Sequence, residues 1–541
     1  MKTQEGRSGE SVRFDRDLSS GGALGAGEGV SRRGFMGGMG AMMAAAALAA
    51  TGSASASADE ADGADEDEYA EAEESEAEEE TDERLQASGV DETDADRYIN
   101  YPTIESVTGW TGTPEDTLAL GVSTMPLDDL NQYRQAYMDA QTEFTKEDGT
   151  VVPVAYVKMR ALINTYGMGC GNEPSDTSFD TLMLLFTEEE VEAYINMPMG
   201  VEFTAYEAAA KLGIETDEAE EICETFVANG YMLAADKNRG RVYHQIAYFQ
   251  GSAEYSQMRR ADDDPDNDTD ILGDDGLDYA NTGTPTFYFV PVDASVTYDG
   301  TILPFDDLKE KVKNANYACI SPCSCRYGAL RNTYGQENIP SWEDFQTGEY
   351  EDYFSDLCNQ RVETCIQIGD EAKYWVELGY GREITGEQAA EYLQRSVDDG
   401  FMLETTFGKD SDTICSCHAD SCGILMLWDS LGDAEAIAAT DAFKQISHYT
   451  LEVDPDLCIA CGTCVDRCPM HIISINDEGW AEPAANCFRC GQCAYVCPQN
   501  ARHLVERDES ELAPLPQGML EDSNVKAAYR FEQGLIPFPE A

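Results

Sequence analysis

Residues 458–469 read Cys458-Ile-Ala-Cys461-Gly-Thr-Cys464-Val-Asp-Arg-Cys468-Pro469, and residues 487–498 read Cys487-Phe-Arg-Cys490-Gly-Gln-Cys493-Ala-Tyr-Val-Cys497-Pro498. This doubled C-x2-C-x2-C-x3-C-P pattern constrains the chain more than any other feature. Three thiolates at three-residue intervals wrap one small cuboid group through a tight loop, and the fourth sits about one helical turn further on. Gly462 and Gly491 let the backbone come close to that group, while Pro469 and Pro498 stop the turn and steer the chain away. Structural zinc sites use C-x2-C pairs separated by a longer loop, not triplets plus one. The spacing therefore points to cubane iron–sulfur clusters, and two runs point to electrons in transit.

Over residues 446–505 the chain resembles the bacterial two-cluster 4Fe–4S ferredoxins, in which the fourth Cys of each run binds the other run's cluster. The resemblance implies a first cluster on Cys458, Cys461, Cys464 and Cys497, and a second on Cys487, Cys490, Cys493 and Cys468.

Near the other end, Ser31-Arg32-Arg33-Gly34-Phe35-Met36 precedes a run of Gly, Met, Ala and Leu from Gly37 to Ala50. Ala54-Ser55-Ala56 and Ala56-Ser57-Ala58 follow as small-residue cleavage sites. Paired Arg, a weakly apolar stretch and an A-x-A end form a twin-arginine signal over residues 1–58. The apolar stretch is too short to span a membrane, which takes about 20 residues. The signal implies a protein loaded with its clusters in the cytoplasm, exported folded, and working in the periplasm or another extracytoplasmic space. The 18 cysteines would otherwise suggest disulfides in an exported chain.

The formal net charge is −69. Asp59 to Asp96 holds 20 acids with Arg84 as its one base, so residues 59–98 read as a disordered acidic linker. Such acidity excludes nucleic acid as a partner and allows only indirect contact with a membrane. Residues 99–260 read as a helical, winged-helix-like module. Thr187 and Thr204 open helices with capping-box spacing, Thr216 to Gly230 forms a third helix, and Tyr231 to Ile246 forms a hairpin. The third helix carries Asp217, Glu218, Glu220, Glu221 and Glu224 without a base, which excludes a DNA-reading role. The acidic loop Asp262 to Asp278 places Ile271 where a calcium loop needs Gly, and so reads as solvated chain.

Ten of the 18 cysteines lie outside the two runs. Cys170 and Cys223 are isolated and read as buried free thiols. The others fall in residues 261–445, a Cys-rich α/β middle domain. They occur as Cys319, Pro322-Cys323-Ser-Cys325-Arg326, Cys358, Cys365 and Cys415-Ser-Cys417-His418-x3-Cys422. A C-x-C pair presents two thiolates to one metal more readily than it closes a strained disulfide. Cys323, Cys325, Cys358 and Cys365 rank first as ligands of a third site, an iron–sulfur cluster or zinc, followed by Cys415, Cys417 and Cys422, with His418 as an imidazole alternative and Cys319 last. A disulfide network formed after export is the competing reading.

From Val154 to Val505 the order of these parts resembles a family of multidomain 4Fe–4S-binding proteins with a winged-helix-like module. The P-C-x-C-R group, the Gly381-Arg382-Glu383-Ile384-Thr385 helix entry and the C-terminal ferredoxin runs carry the likeness. The third Cys group is poorer in Cys than that family's pattern. The implied architecture is α+β multidomain, with a two-cluster ferredoxin-type domain at 446–510 and a tail at 511–541. The implied role is an exported electron-transfer subunit, serving a partner oxidoreductase rather than acting as a catalytic chain. Export with two C-terminal clusters is also similar to the cobalamin-dependent reductive dehalogenases, and a redox or metal sensor is the third reading. No G-x-G-x-x-G follows a strand in the mature region.

Overall fold

Side-chain caps fix where the helices of the first segment begin. The computed structural model describes residues 118–258, 271–274, 282–292, 305–409 and 411–537. Arg32, Arg33, the 59–98 linker and most of the 262–278 loop lie outside the described residues. Helices α1 (Leu127–Asp139), α2 (Val154–Asn164), α3 (Asp176–Leu185) and α4 (Glu188–Asn196) lead to the short strand β1 (Phe203–Thr204). Helices α5 (Ala205–Leu212) and α6 (Thr216–Ala228) follow, then a hairpin of β2 (Met232–Lys237) and β3 (Gly240–Gln245). Thr187 and Thr204 cap the N–H of Glu190 and Glu207, whose carboxylates return the bond to the cap backbone. Each reciprocal cap contributes about 1 kcal/mol. β1 and β2 flank β3 in a three-stranded antiparallel sheet. Of the α6 acids, Glu224 accepts from Arg241 Nε and from the Tyr243 hydroxyl, so part of this acidic helix is tied to its own hairpin.

A six-stranded antiparallel sheet forms the middle of the chain. Its strands are β4 (Phe287–Val290), β5 (Ala318–Pro322), β6 (Glu363–Ile368), β7 (Arg382–Ile384), β8 (Met402–Thr406) and β9 (Thr413–Cys417), in the spatial order β7-β5-β6-β9-β8-β4. The strand period of two sorts their residues by face. Ile320, Ile366, Ile414, Leu403 and Val290 point to one side and pack with Val312, Leu393 and Val397. These last come from α7 (Phe305–Lys313) and α10 (Gly386–Asp399), the latter capped by Thr385 and ended by Gly400 at φ 101°. The alternating residues Cys319, Cys365, Glu404, Cys415 and Cys417 face the other way, under α8 (Ser324–Tyr334), α9 (Gly369–Glu377) and α11 (Gly423–Ser430). Ile366 lies opposite Ile414 and Glu404 opposite Cys415. Cys365, Cys415 and Glu404 therefore sit abreast on three neighbouring strands.

The ferredoxin-type segment is built as two matched halves. β10 (Tyr449–Val453) pairs antiparallel with β13 (Arg502–Glu506), and β11 (Ile473–Ile475) with β12 (Ala481–Pro483). Between them lie two short helices, α12 (Thr463–Arg467) and α13 (Gln492–Tyr495), each begun by a left-handed glycine, Gly462 or Gly491. The segment is not separate from the middle sheet. Phe289 N–H donates to the Ile446 carbonyl at 2.9 Å, and Val292 N–H donates to the Cys490 carbonyl at 3.0 Å. Residues 511–541, read as a tail, contain α14 (Met519–Glu532), which is buried along most of its length. Arg530 Nη1 donates to the Asn164 carbonyl at 2.7 Å, and Asn524 Nδ2 donates to the Gly200 carbonyl at 2.9 Å. The end of the chain thus closes the core of the first segment. Among the described residues, no helix is long and apolar enough to cross a membrane.

Candidate metal centres

The two cysteine runs bend at equivalent positions. Ala460 and Arg489 have φ of 53° and 59°, and His471 and Asn500 have φ of 56° and 50°. Gly462 and Gly491 have φ of 82° and 81°. Both glycines follow the second thiol of their run and take the left-handed conformation that starts the helical turn. Positive φ at non-glycine residues costs about 1 kcal/mol or more each, and it persists where surrounding structure enforces it. Here the strain falls at equivalent points of both loops that bend around the thiols.

Cys468 of the first run does not join its sequence neighbours. It lines one cavity with Cys487, Cys490 and Cys493, together with Met402 and Met470. Burial raises the thiols of Cys487 and Cys490 and pushes Cys493 up to about 12. Four thiols gathered in an apolar, electrostatically costly place suit a group that brings its own positive charge, as iron does. On the other side, Cys458 and Cys461 lie within electrostatic reach of Cys464, and Cys461 is exposed. Backbone N–H groups of Ala481 and Ala501 point at Cys458 Sγ and Cys497 Sγ at 3.5 and 3.3 Å. Arg502 Nη1 lies 3.8 Å from Cys493 Sγ, while its Nη2 donates to the Ala481 carbonyl. Such donors stabilise thiolate charge and tune cluster potential.

The middle sheet carries a second thiol assembly. Cys323 contacts Cys325 and Cys365, Cys365 contacts Cys415, Cys415 contacts Cys417, Cys417 contacts Cys422, and Cys422 returns to Cys325. Six thiols thus close a ring. Cys323 and Cys422 occupy the positions just before α8 and α11, so two helix N-termini end on the ring. The N–H of Gly423 lies 3.5 Å from Cys325 Sγ. Hydrogen bonds from ring neighbours lower the thiols of Cys323, Cys415 and Cys422 and raise those of Cys325, Cys365 and Cys417.

Two residues read into this group are not members of the ring. Cys358 is half-buried, bonded to Ser355 and within electrostatic reach of Cys323, and Cys319 bonds Gln367 Oε1 at 3.2 Å one strand away. His418 turns outward to Asp420, whose other oxygen meets His471 Nε2 at 3.2 Å. Ligand atoms of these three lie within 4.8 Å of one another, on the side where the middle sheet meets the first cysteine run. Burial lowers His418 to about 4. The isolated thiols Cys170 and Cys223 are both fully buried.

Sequence reasoning missed the acids. Glu404 is fully buried, and its ligand atom lies within 4.8 Å of those of Cys417 and Cys422. Burial, then the nearby Cys422 and Cys415, push it well above the usual carboxylate range. Neither of its oxygens finds a nitrogen or oxygen donor. Cys365 and Cys415 also line a largely apolar cavity with Glu254 and Glu371. Burial raises these acids to about 8 and about 7. A cavity of this kind can hold neutral carboxylic acids beside the ring near neutral pH.

Residues 457–501 match the family described as the 4Fe-4S dicluster domain. Over 101 residues, 16% of this chain, the sequence is 33% identical to a Halobacterium salinarum protein named as a dimethyl sulfoxide reductase iron–sulfur subunit. It is 32% identical over 85 residues, 14% of this chain, to the thiosulfate reductase electron transfer subunit of Salmonella typhi. The chain spans 38% and 44% of the length of these two curated relatives. It is 57% identical over 30 residues, 6% of this chain, to a protein of Methanosarcina thermophila named as a ferredoxin, covering 52% of it. No solved structure matches the chain. Residues 457–501 thus form a 4Fe–4S domain, and in this segment the chain is similar to ferredoxins and to electron-transfer subunits of oxidoreductases.

Proposed function

We propose that this chain is an exported iron–sulfur electron-transfer protein, a redox subunit passing electrons to or from a partner oxidoreductase. The observation that carries the reading is the cavity shared by Cys468 with Cys487, Cys490 and Cys493. It supports two clusters with exchanged fourth ligands, one on Cys458, Cys461, Cys464 and Cys497, the other on Cys487, Cys490, Cys493 and Cys468. Bound there, the clusters supply one-electron chemistry at low to moderate potential. The residues around them divide the work. The first run presents Cys461 at the surface, flanked by Leu457 and Ile459, which are 47% and 62% exposed. An exposed apolar rim on an otherwise acidic protein suits a transient redox partner with a basic border. The second run is turned inward, against Met402 of the middle sheet and Val292 just beyond β4. Relatives named as reductase subunits support a reductase-type partner. Export rests on Arg32 and Arg33.

Anaerobic purification followed by iron analysis and EPR of the dithionite-reduced protein tests the cluster reading. Two magnetically coupled signals from residues 446–510 are the expected result, and a protein without iron would overturn it. Replacing Arg32 and Arg33 with Lys should leave the protein in the cytoplasmic fraction. An unchanged distribution would remove the export claim.

A further inference from the structure

We propose that Cys323, Cys325, Cys365, Cys415, Cys417 and Cys422 are the ligands of one polynuclear iron–sulfur centre, distinct from the two ferredoxin-type clusters. The six thiols come from three separate stretches of chain: the β5–α8 junction, strand β6, and strand β9 with the α11 cap. Convergence from strands and helix starts fixes them on rigid elements, as a preorganised ligand set requires. Every member touches two others, so no four of the six are set apart as a separate tetrahedral site.

Ligand number decides the nuclearity. A single tetrahedral ion takes four thiolates and leaves two thiols of the ring without a metal. Six thiols that each touch two others are all engaged only by a centre of two or more metal atoms. Fully buried Arg326 stands against the ring and offsets part of its thiolate charge. Glu404 lies beside Cys417 and Cys422 with no nitrogen or oxygen partner of its own. It is placed either as a seventh ligand or as a neutral acid against the centre.

Position favours iron over closed-shell zinc. Met402 pairs with Cys417 in the sheet and also lines the cavity of Cys468, Cys487, Cys490 and Cys493. The loop after Cys417 reaches the loop after Cys468, where Ala419 N–H donates to the Pro469 carbonyl at 3.1 Å. The ring and the inward cluster site are separated by about one side-chain layer. A single electron moving between them reduces one centre and oxidises the other, with no bond made or broken. The electron route then ends inside the middle sheet, next to the cavity that holds Glu254 and Glu371.

The test uses the full chain, purified without oxygen, with iron, zinc and acid-labile sulfide counted per protein. Two ferredoxin-type clusters account for about eight iron. The proposal expects about ten or more. In a Cys365→Ala, Cys417→Ala double variant, about a fifth or more of the iron and sulfide should be lost. The EPR signals of residues 446–510 should persist, showing that the chain still folds. Cys358→Ala, outside the ring, should keep the full count. Zinc in place of the extra iron, disulfides among the six on mass spectrometry, or an unchanged count in the double variant would each overturn the proposal. Loss of the ferredoxin-type signals in wild-type protein, with extra iron retained, would instead count against the electron-transfer reading alone.

Discussion

Arg467 Nη1 donates to the carbonyl oxygen of Asp398 at 2.9 Å, tying a ferredoxin-type helix to the last turn of α10. The same guanidinium reaches the Val397 carbonyl and takes Gln492 Oε1 at 2.8 Å. Gln492 Nε2 in turn donates to the Val397 and Phe401 carbonyls at 3.2 and 2.6 Å. Two side chains, one from each matched half, therefore satisfy the orphan carbonyls that every helix end leaves. Arg467→Ala removes charge-assisted bonds at a part-buried site and should cost about 1–2 kcal/mol. Denaturant unfolding of the anaerobically purified protein measures that loss. Hydrogen exchange should speed up at residues 397–401 and stay unchanged in α4 to α6. A uniform increase would mean that Arg467 does not act as a local clamp.

Cys468 is near Cys464 in sequence but shares its cavity with Cys487, Cys490 and Cys493. Cys468→Ser should therefore disturb the cluster of the second run, and Cys497→Ser that of the first. Each variant should lose up to about half of the iron held by residues 446–510. EPR of the two variants distinguishes the signals, because the second run is buried against the middle sheet and the first has an exposed edge. If Cys468→Ser alters the exposed cluster instead, the exchanged ligand sets are wrong.

Local chemistry was legible in the sequence where it depends on near neighbours. The caps at Thr187, Thr204 and Thr385 need a partner three residues on, and that spacing is visible in the chain. The two cysteine runs are legible for the same reason. The ring was only half legible. Chain spacing shows that Cys323 and Cys325, or Cys415 and Cys417, act in pairs. It cannot show that β6 lies beside β9, which brings Cys365 against Cys415. Glu404 gave no signal, because an acid in a strand is ordinarily exposed and only its register opposite Cys415 buries it here. The helix at 519–532 was missed because its face toward the core is mixed. Asp522, Asn524, Lys526 and Arg530 are buried and paired, so hydrophobic periodicity does not show it.

Glu371 makes stability depend on pH. Burial raises its carboxyl to about 7, partly offset by hydrogen bonds from the Tyr255 hydroxyl and Trp375 Nε1, both at 2.8 Å. Asp412 adds to the rise. The folded state therefore holds this proton more tightly than the unfolded chain, whose carboxyl titrates near 4.5. The stabilisation is complete below that value and is lost as pH rises through about 7. Glu371→Gln keeps the acceptor for both donors and removes the titration. The variant should be more stable than wild type at pH 8 by about 3 kcal/mol and no more stable at pH 4.5. Thermal melts across that range check the sign, and a constant offset at every pH would exclude Glu371 as the source.

Arg326 is the side chain on which the six-thiol ring most depends for its shape. Fully buried, it donates from Nη1 to Thr364 Oγ1 at 2.8 Å and from Nη2 to the Ser416 carbonyl at 2.7 Å. Its Nε reaches Gln360 Oε1 and Ser421 Oγ at 3.3 and 3.2 Å, and its guanidinium carbon lies 4.5 Å from the Phe401 ring centroid. Burial works against its charge, and the field of Cys323 and Cys365 more than offsets that, so the guanidinium stays protonated. These partners belong to β6, β9, the β8 approach and the α11 approach, so one planar cation spaces the elements that carry the thiols. Arg326→Leu takes the guanidinium donor from the Ser416 carbonyl and from Thr364 Oγ1, while Gln360 Oε1 keeps the Ser421 hydroxyl. It should cost about 3–5 kcal/mol, as expected when one partner of a buried charged network is removed. Arg326→Lys keeps the charge but cannot span four acceptors in a plane, and should recover less than about half of that loss. Urea unfolding followed by tryptophan fluorescence, with Trp428 buried on α11, reports both variants. Full recovery by Lys would show that charge alone matters at this position and that the fork geometry does not.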